Sequence, residues 1–134
     1  MTVTEPVTEP VTEPTSNDDP IFHLAVPDDW VAAFTAGEYT MSTRGVTLEQ
    51  EGFIHCSARD QVQDTANRFY GDLDHLVVLT IDPQLVPSPI VFEPPAPGMD
   101  VLFPHIYGPL PIAAVNRATP WVRRPEREWS IDDA

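Results

Sequence analysis

Glu51-Gly52-Phe53-Ile54-His55-Cys56-Ser57 is the stretch on which the reading of this chain turns. Taken as a strand, its alternation sets Phe53, His55 and Ser57 on one face and Ile54 and Cys56 on the other. The Ile54 and Cys56 face is small and apolar and belongs against a core. The opposite face carries an imidazole and a hydroxyl, which an interior accepts only with hydrogen-bond partners. Two further segments, Ile21–Ala25 and Phe103–Tyr107, each hold one histidine in a similar setting. All three are expected to converge on one cleft.

Outward from that stretch, the pattern alternates short strands with helices. In Ile21–Ala25, Phe22 and Leu24 share one face, and His23 points the other way with Ile21 and Ala25. Pro27-Asp28-Asp29-Trp30 opens a helix with a packing stripe of Trp30, Ala33 and Phe34, and Gly37 stops it. Met41–Gly45 reads as a loop and Val46–Gln50 as a short helical turn or strand. Ser57 is expected to cap the next helix, with Asp60 completing the box, Val62, Ala66 and Phe69 inward, and Gly71 at its end. His75–Ile81 is so uniformly apolar that it reads as a central strand covered on both faces. Strands are further expected at Ile90–Glu93, at Phe103–Tyr107, where Phe103, His105 and Tyr107 share parity, and at Ile112–Val115.

The chain has 134 residues, enough for one domain with a real core, placed at residues 20–120. Residues 3–14 are three copies of Val-Thr-Glu-Pro, so residues 1–19 read as a disordered, acidic, polyproline-like tail. A protein partner for that tail is left unnamed. Residues 121–134 mix three arginines with four acids and read as a frayed C-terminal tail in which Trp121 is the residue suited to dock.

Charge and composition exclude several classes of function. Twenty-one acidic residues stand against seven basic ones, all arginine, for a net charge of −14. Without lysine there is no Schiff-base chemistry and no P-loop. The acidic balance argues against a nucleic-acid backbone and an anionic membrane surface as partners. A single cysteine and no long apolar run point to a cytoplasmic protein without disulfides or membrane spans.

The residues that carry chemistry are few. No two histidines stand at the spacing of a helical metal-ligand pair, so no metal is assigned. Cys56 points away from His55 and reads as an inert buried thiol. What remains is a small-molecule pocket in which His23, His55 and His105 surround a ligand and Tyr107 and Phe53 stack on it. Glu93 closes its strand as a candidate base or hydroxyl anchor, and Arg44 is a candidate for an anionic group.

Glu51–Ser57, the helix with Thr65-Ala66-Asn67-Arg68-Phe69, Glu93, and Phe103-Pro104-His105-Ile106-Tyr107-Gly108-Pro109-Leu110 together resemble a small bacterial family, domain of unknown function 952. The resemblance implies a fold similar to that of ADP-ribosyltransferases: a single α+β domain with a curved, split, mostly antiparallel sheet and two or three helices. In that superfamily a first-strand histidine or arginine holds the nicotinamide ribose, a second histidine or an aromatic flanks the nicotinamide, and a late glutamate orients the attack. Carried over, this implies catalytic roles for His23, His55 and Glu93, and ligand contacts from Phe53, Ser57, Arg44, His105 and Tyr107. The implied substrate is NAD, ADP-ribose or a related phosphorylated ribose, with ADP-ribosyl transfer or NAD hydrolysis as the reaction. The chain departs from the superfamily in lacking a glutamate motif near its end and in having few arginines for a pyrophosphate. The alternatives are a non-catalytic small-ligand or protein-binding module and a metal-dependent hydrolase.

Overall fold

A computed structural model describes residues 19–134. The Val-Thr-Glu-Pro repeats lie outside them. In chain order, β1 (Ile21–Ala25) is followed by α1 (Pro27–Ala36), β2 (Glu38–Tyr39), β3 (Met41–Thr43), β4 (Val46–Thr47), α2 (Leu48–Glu51) and β5 (Ile54–His55). Then come α3 (Val62–Phe69), β6 (His75–Ile81), β7 (Ile90–Glu93), β8 (Phe103–Ile106), β9 (Leu110–Pro111) and β10 (Val115–Val122). Proline and acids open α1, and Gly37 closes it in a left-handed conformation (φ 91°) that only glycine adopts cheaply. A reciprocal Thr47–Gln50 capping box starts α2.

Two three-stranded antiparallel sheets, in the orders β1-β6-β10 and β5-β8-β7, make the frame. With its helices segregated around antiparallel strands, the chain is a single α+β domain. The apolar run of β6 is explained by its place between two cores. Leu76 and Val78 join Phe22, Leu24 and the α3 residues Val62 and Ala66 on one face. Leu79 and Ile81 join Ile21, Ala25, Ile54, Cys56 and the α1 residue Ala33 on the other. The alternation expected in β1 and in Phe53–Ser57 holds on both faces.

Elsewhere the structure differs from the sequence reading. Met41–Gly45 is no loop: β3 and β4 form a hairpin whose two-residue turn, Arg44-Gly45, needs the positive φ of Gly45 (74°). The cap of the third helical segment falls one residue later than Ser57. There the Gln61 side chain accepts from the Ala58 amide at 2.8 Å, and a 3-10 turn over Arg59–Gln61 precedes α3. Phe34 and Phe69 are not core residues but 67% and 51% exposed, each at the outer edge of its helix stripe. Ile112–Ala114 is a 3-10 turn, and the last strand is the eight-residue β10, whose Pro120 is tolerated because the strand lies at the sheet edge.

The C-terminal residues clasp the domain instead of fraying from it. Trp121 and Trp129 pack edge to face at 4.9 Å and are both buried in the α3 core. Trp129 donates its indole N–H to the Tyr70 carbonyl at 2.8 Å, and its backbone exchanges two hydrogen bonds with the Asn67 side chain. Arg123 ties the same segment to Asp74 and to the Leu73 carbonyl. Trp129→Ala should therefore cost about 3–5 kcal/mol in urea unfolding, whereas Phe34→Ala should stay within about 0.5 kcal/mol; equal effects would contradict the clasp.

Candidate functional site

The site begins where β5 ends. Ile54 and His55 pair with β8, and the Cys56 amide still donates to the Pro104 carbonyl at 2.9 Å. One residue on, Ser57 exchanges two backbone hydrogen bonds with Phe22 of β1, at 2.8 and 2.7 Å. The segment thus crosses from one sheet to the other within three residues. At the crossing, His23 Nδ1 lies 2.7 Å from the His55 carbonyl oxygen and so carries the proton and donates. Its Nε2, left with a lone pair, accepts from the Tyr39 hydroxyl at 2.9 Å. Burial pushes the His23 pKa down to about 4 and raises that of Tyr39, so both are neutral. Both nitrogens of His23 are spent on the fold.

On the other side of the His55 backbone its ring enters a chain of hydrogen bonds. His105 Nδ1 donates to Glu93 Oε2 at 2.7 Å, and the Tyr107 hydroxyl donates to the same oxygen. These two donors hold the Glu93 carboxyl below the usual carboxylate range, and Glu93 in turn raises Tyr107. His105 Nε2 faces His55 Nδ1 at 3.1 Å. Burial, then the neighbouring rings of His105 and His23, lower the His55 pKa to about 3. Tyr107 reaches Glu93 because its amide is anchored to the Pro89 carbonyl and because Gly108, where a Cβ would collide with Ser88, lets the chain pass close.

A small pocket of about 10 Å³, room for roughly one water, opens beside the His55 ring. Its lining includes His23, Ser42, His55, Ser57, Thr65 and Phe69. The hydroxyls of Ser57 and Thr65 satisfy each other at 3.2 Å. Two atoms do not: Ser42 Oγ and His55 Nε2 are buried without a hydrogen-bond partner among the described residues. Each such atom costs about 1–3 kcal/mol, so a polar group that reaches either one is favoured.

The expected site residues divide into three sets. His55, Ser57 and His23 meet at the pocket, although His23 has no ring nitrogen left for a ligand. Glu93, His105 and Tyr107 form the chain behind His55, with Phe53 stacked on His105 at 3.9 Å. Arg44 stands apart, paired with Asp72 at 2.8 Å and lying over the Tyr70 ring. Burial raises the Cys56 thiol pKa, in keeping with an inert group. No group of three or more His, Cys, Asp or Glu is placed to hold a metal ion among the described residues. Sequence reasoning passed over Ser42, Thr65 and the His23 partner Tyr39. Arg-Gly is not one of the strong hairpin-turn dipeptides, so no local signal placed Ser42 on a strand.

The chain belongs to the family described as Protein of unknown function (DUF952), whose model matches residues 24–118. It is similar to CC0527 from Caulobacter crescentus, whose crystal structure superimposes with a TM-score of 0.72 at 26% identity, covering 85% of this chain and 96% of that one. The solution NMR structure of CC0527 gives 0.69 at the same identity, covering 85% and 94%. No curated protein matches the chain. Among the described residues no helix is long and apolar enough to cross a membrane.

Two buried neutral histidines make stability depend on pH. Unfolded, each titrates near 6.5; folded, His23 and His55 titrate near 4 and 3. Between those values the unfolded chain binds more protons, so stability rises with pH. It should be complete above about pH 6.5 and fall as pH drops toward 4, by up to about 1.4 kcal/mol per unit per histidine. Urea midpoints from pH 7 to 5 check this, and His55→Gln should flatten the slope; a level wild-type profile would contradict buried neutral rings.

Proposed function

We propose that the protein is a small-ligand pocket protein of the ADP-ribosyltransferase-like kind, taking the ribose of NAD, ADP-ribose or a related phosphorylated ribose. The observation that carries the reading is that Ser42 and His55, which line one pocket, each hold a buried atom without a hydrogen-bond partner among the described residues, Oγ and Nε2. A hydroxyl group both donates and accepts, and a ribose offers such groups next to the carbon at which nicotinamide departs. With so little room at the floor, a single hydroxyl enters and the sugar stays at the mouth. Phe69, 51% exposed on the pocket lining, supplies aromatic surface near it. If NAD is turned over, the C–N bond to nicotinamide breaks through an oxocarbenium-like state, which the Glu93 carboxylate, two rings behind the pocket, favours electrostatically. Phosphate groups would lie outside, toward Arg44, since the pocket itself holds no cation.

A non-catalytic binding module is the second reading, favoured by the engagement of Glu93 with His105 and Tyr107. Thermal unfolding with NAD, NADP, ADP-ribose, nicotinamide and 2′-phosphorylated ribonucleotides tests the site. At 100 times Kd a ligand adds about 2.7 kcal/mol, a readable rise in Tm that should disappear in His55→Ala. Silence with every nucleotide would reject the ribose reading. Where NAD binds, turnover lost in Glu93→Gln with affinity kept marks an enzyme, and no turnover in the wild type marks a binder.

A further inference from the structure

We propose that His55 Nε2 is the proton acceptor of the pocket, and that Glu93 and His105 are positioning residues that fix it in that role by dictating ring tautomers. This rests on the pocket assignment above and specifies its chemistry. Glu93, 30% exposed at the end of β7, is a carboxylate and only accepts, so His105 Nδ1 must carry a proton. We take that proton as the ring's only one, which leaves Nε2 bare toward His55 Nδ1 at 3.1 Å. A contact between two ring nitrogens needs one proton between them, so His55 Nδ1 supplies it. His55 is left with its lone pair on Nε2, the buried atom with no partner. The carboxylate two rings away thereby sets the pocket to accept. The remaining rings do not perturb this sequence, because His23 is closed by the His55 carbonyl and Tyr39.

The assignment narrows the ligand group. An acceptor nitrogen rewards a hydroxyl, whose hydrogen points to His55 while its oxygen takes the Ser42 hydroxyl hydrogen. A phosphate oxygen or carboxylate brings no hydrogen and would meet the lone pair. When a bound hydroxyl is activated, its O–H bond breaks, the proton goes to His55 Nε2, and the electron pair stays on the ligand oxygen. The surplus proton leaves along the same chain: His55 Nδ1–H passes to His105 Nε2, and His105 Nδ1–H passes to Glu93 at the surface. No oxidant, reductant or further reactant is required. Such a path gives a buried base of low affinity for protons an exit to water.

The test is two-dimensional nitrogen–proton NMR of the histidine rings in the free protein near neutral pH. The expected pattern is protonated Nδ1 and bare Nε2 at each of His23, His55 and His105. In Glu93→Leu the demand at His105 vanishes, and His55 should acquire an Nε2–H population that the wild type lacks. Tyr107→Phe, which keeps the carboxylate, should retain the wild-type pattern. A protonated His55 Nε2 in the wild type overturns the proposal. So does a Glu93→Leu spectrum with His55 unchanged, or a Tyr107→Phe spectrum that reproduces the Glu93→Leu change. Should Glu93→Leu not fold, the wild-type and Tyr107→Phe spectra decide. The pocket reading fails separately: nucleotides that leave Tm unmoved, with this tautomer pattern intact, reject the ligand and keep the relay.

Discussion

The hydrogen bond from His23 Nδ1 to the His55 carbonyl holds the place where two sheets share one strand segment. Buried backbone groups must find partners, and a segment that leaves β8 and joins β1 within three residues exposes a carbonyl that neither ladder claims. An imidazole reaching across from β1 meets that need only if it is neutral and protonated on the correct nitrogen. The carbonyl itself sets that tautomer, since it can only accept, and the Tyr39 hydroxyl donates to the nitrogen left bare. This small network fixes the height of His55 against β8, and with it the meeting of His55 with His105. The His55 side of the pocket inherits its position from that crossing.

Two histidines that look alike in the sequence consequently do different work. His23 has both nitrogens closed by internal partners, so it builds the site without being available to a ligand. His55 has one nitrogen closed by His105 and one left over. The proposed functional asymmetry is one of hydrogen-bond accounting, not of residue type. The same view explains why so acidic a chain keeps its pocket uncharged. Arg44, which follows the pocket residue Thr43, is committed to Asp72 and Tyr70, and the carboxylate lies two rings behind the pocket. A neutral, hydroxyl-rich ligand group fits such a place better than an ion.

The alternation of Phe53–Ser57, of Ile21–Ala25 and of Phe103–Tyr107 was legible because period-two burial is a local consequence of the pleat. The central strand was legible because both of its faces are covered. What escaped notice depends on distant partners. Ser42 sits in a hairpin whose second strand has only two residues, too short to show a period. The eight-residue β10 carries polar residues and a proline, and only its long neighbour β6 makes it a strand. Phe34 and Phe69 fall on the right helical spacing, yet the apolar stripes of these helices are narrower than spacing implies. Tyr39 and Thr65 matter through single hydrogen bonds to residues 16 and 8 positions away, which no window of sequence displays.

The C-terminal clasp extends this dependence on distant partners to the pocket itself. Thr65, Phe69 and Tyr70 of the pocket wall lie on α3 or at its end. One face of α3 packs on β1 and β6; the C-terminal segment also holds it, through Trp129 bonded to Asn67 and the Ile131 amide bonded to Gln63. Tyr70 joins the two regions, giving its carbonyl to Trp129 while its ring lies under Arg44. Residues 121–134 lie beyond the span that the family model matches, yet they pack on and bond to the helix that carries Thr65. A helix of eight residues has little stability of its own in water. Its position is therefore supplied from both sides, by the sheet beneath and by the clasp above, and the pocket is as rigid as the less secure of the two.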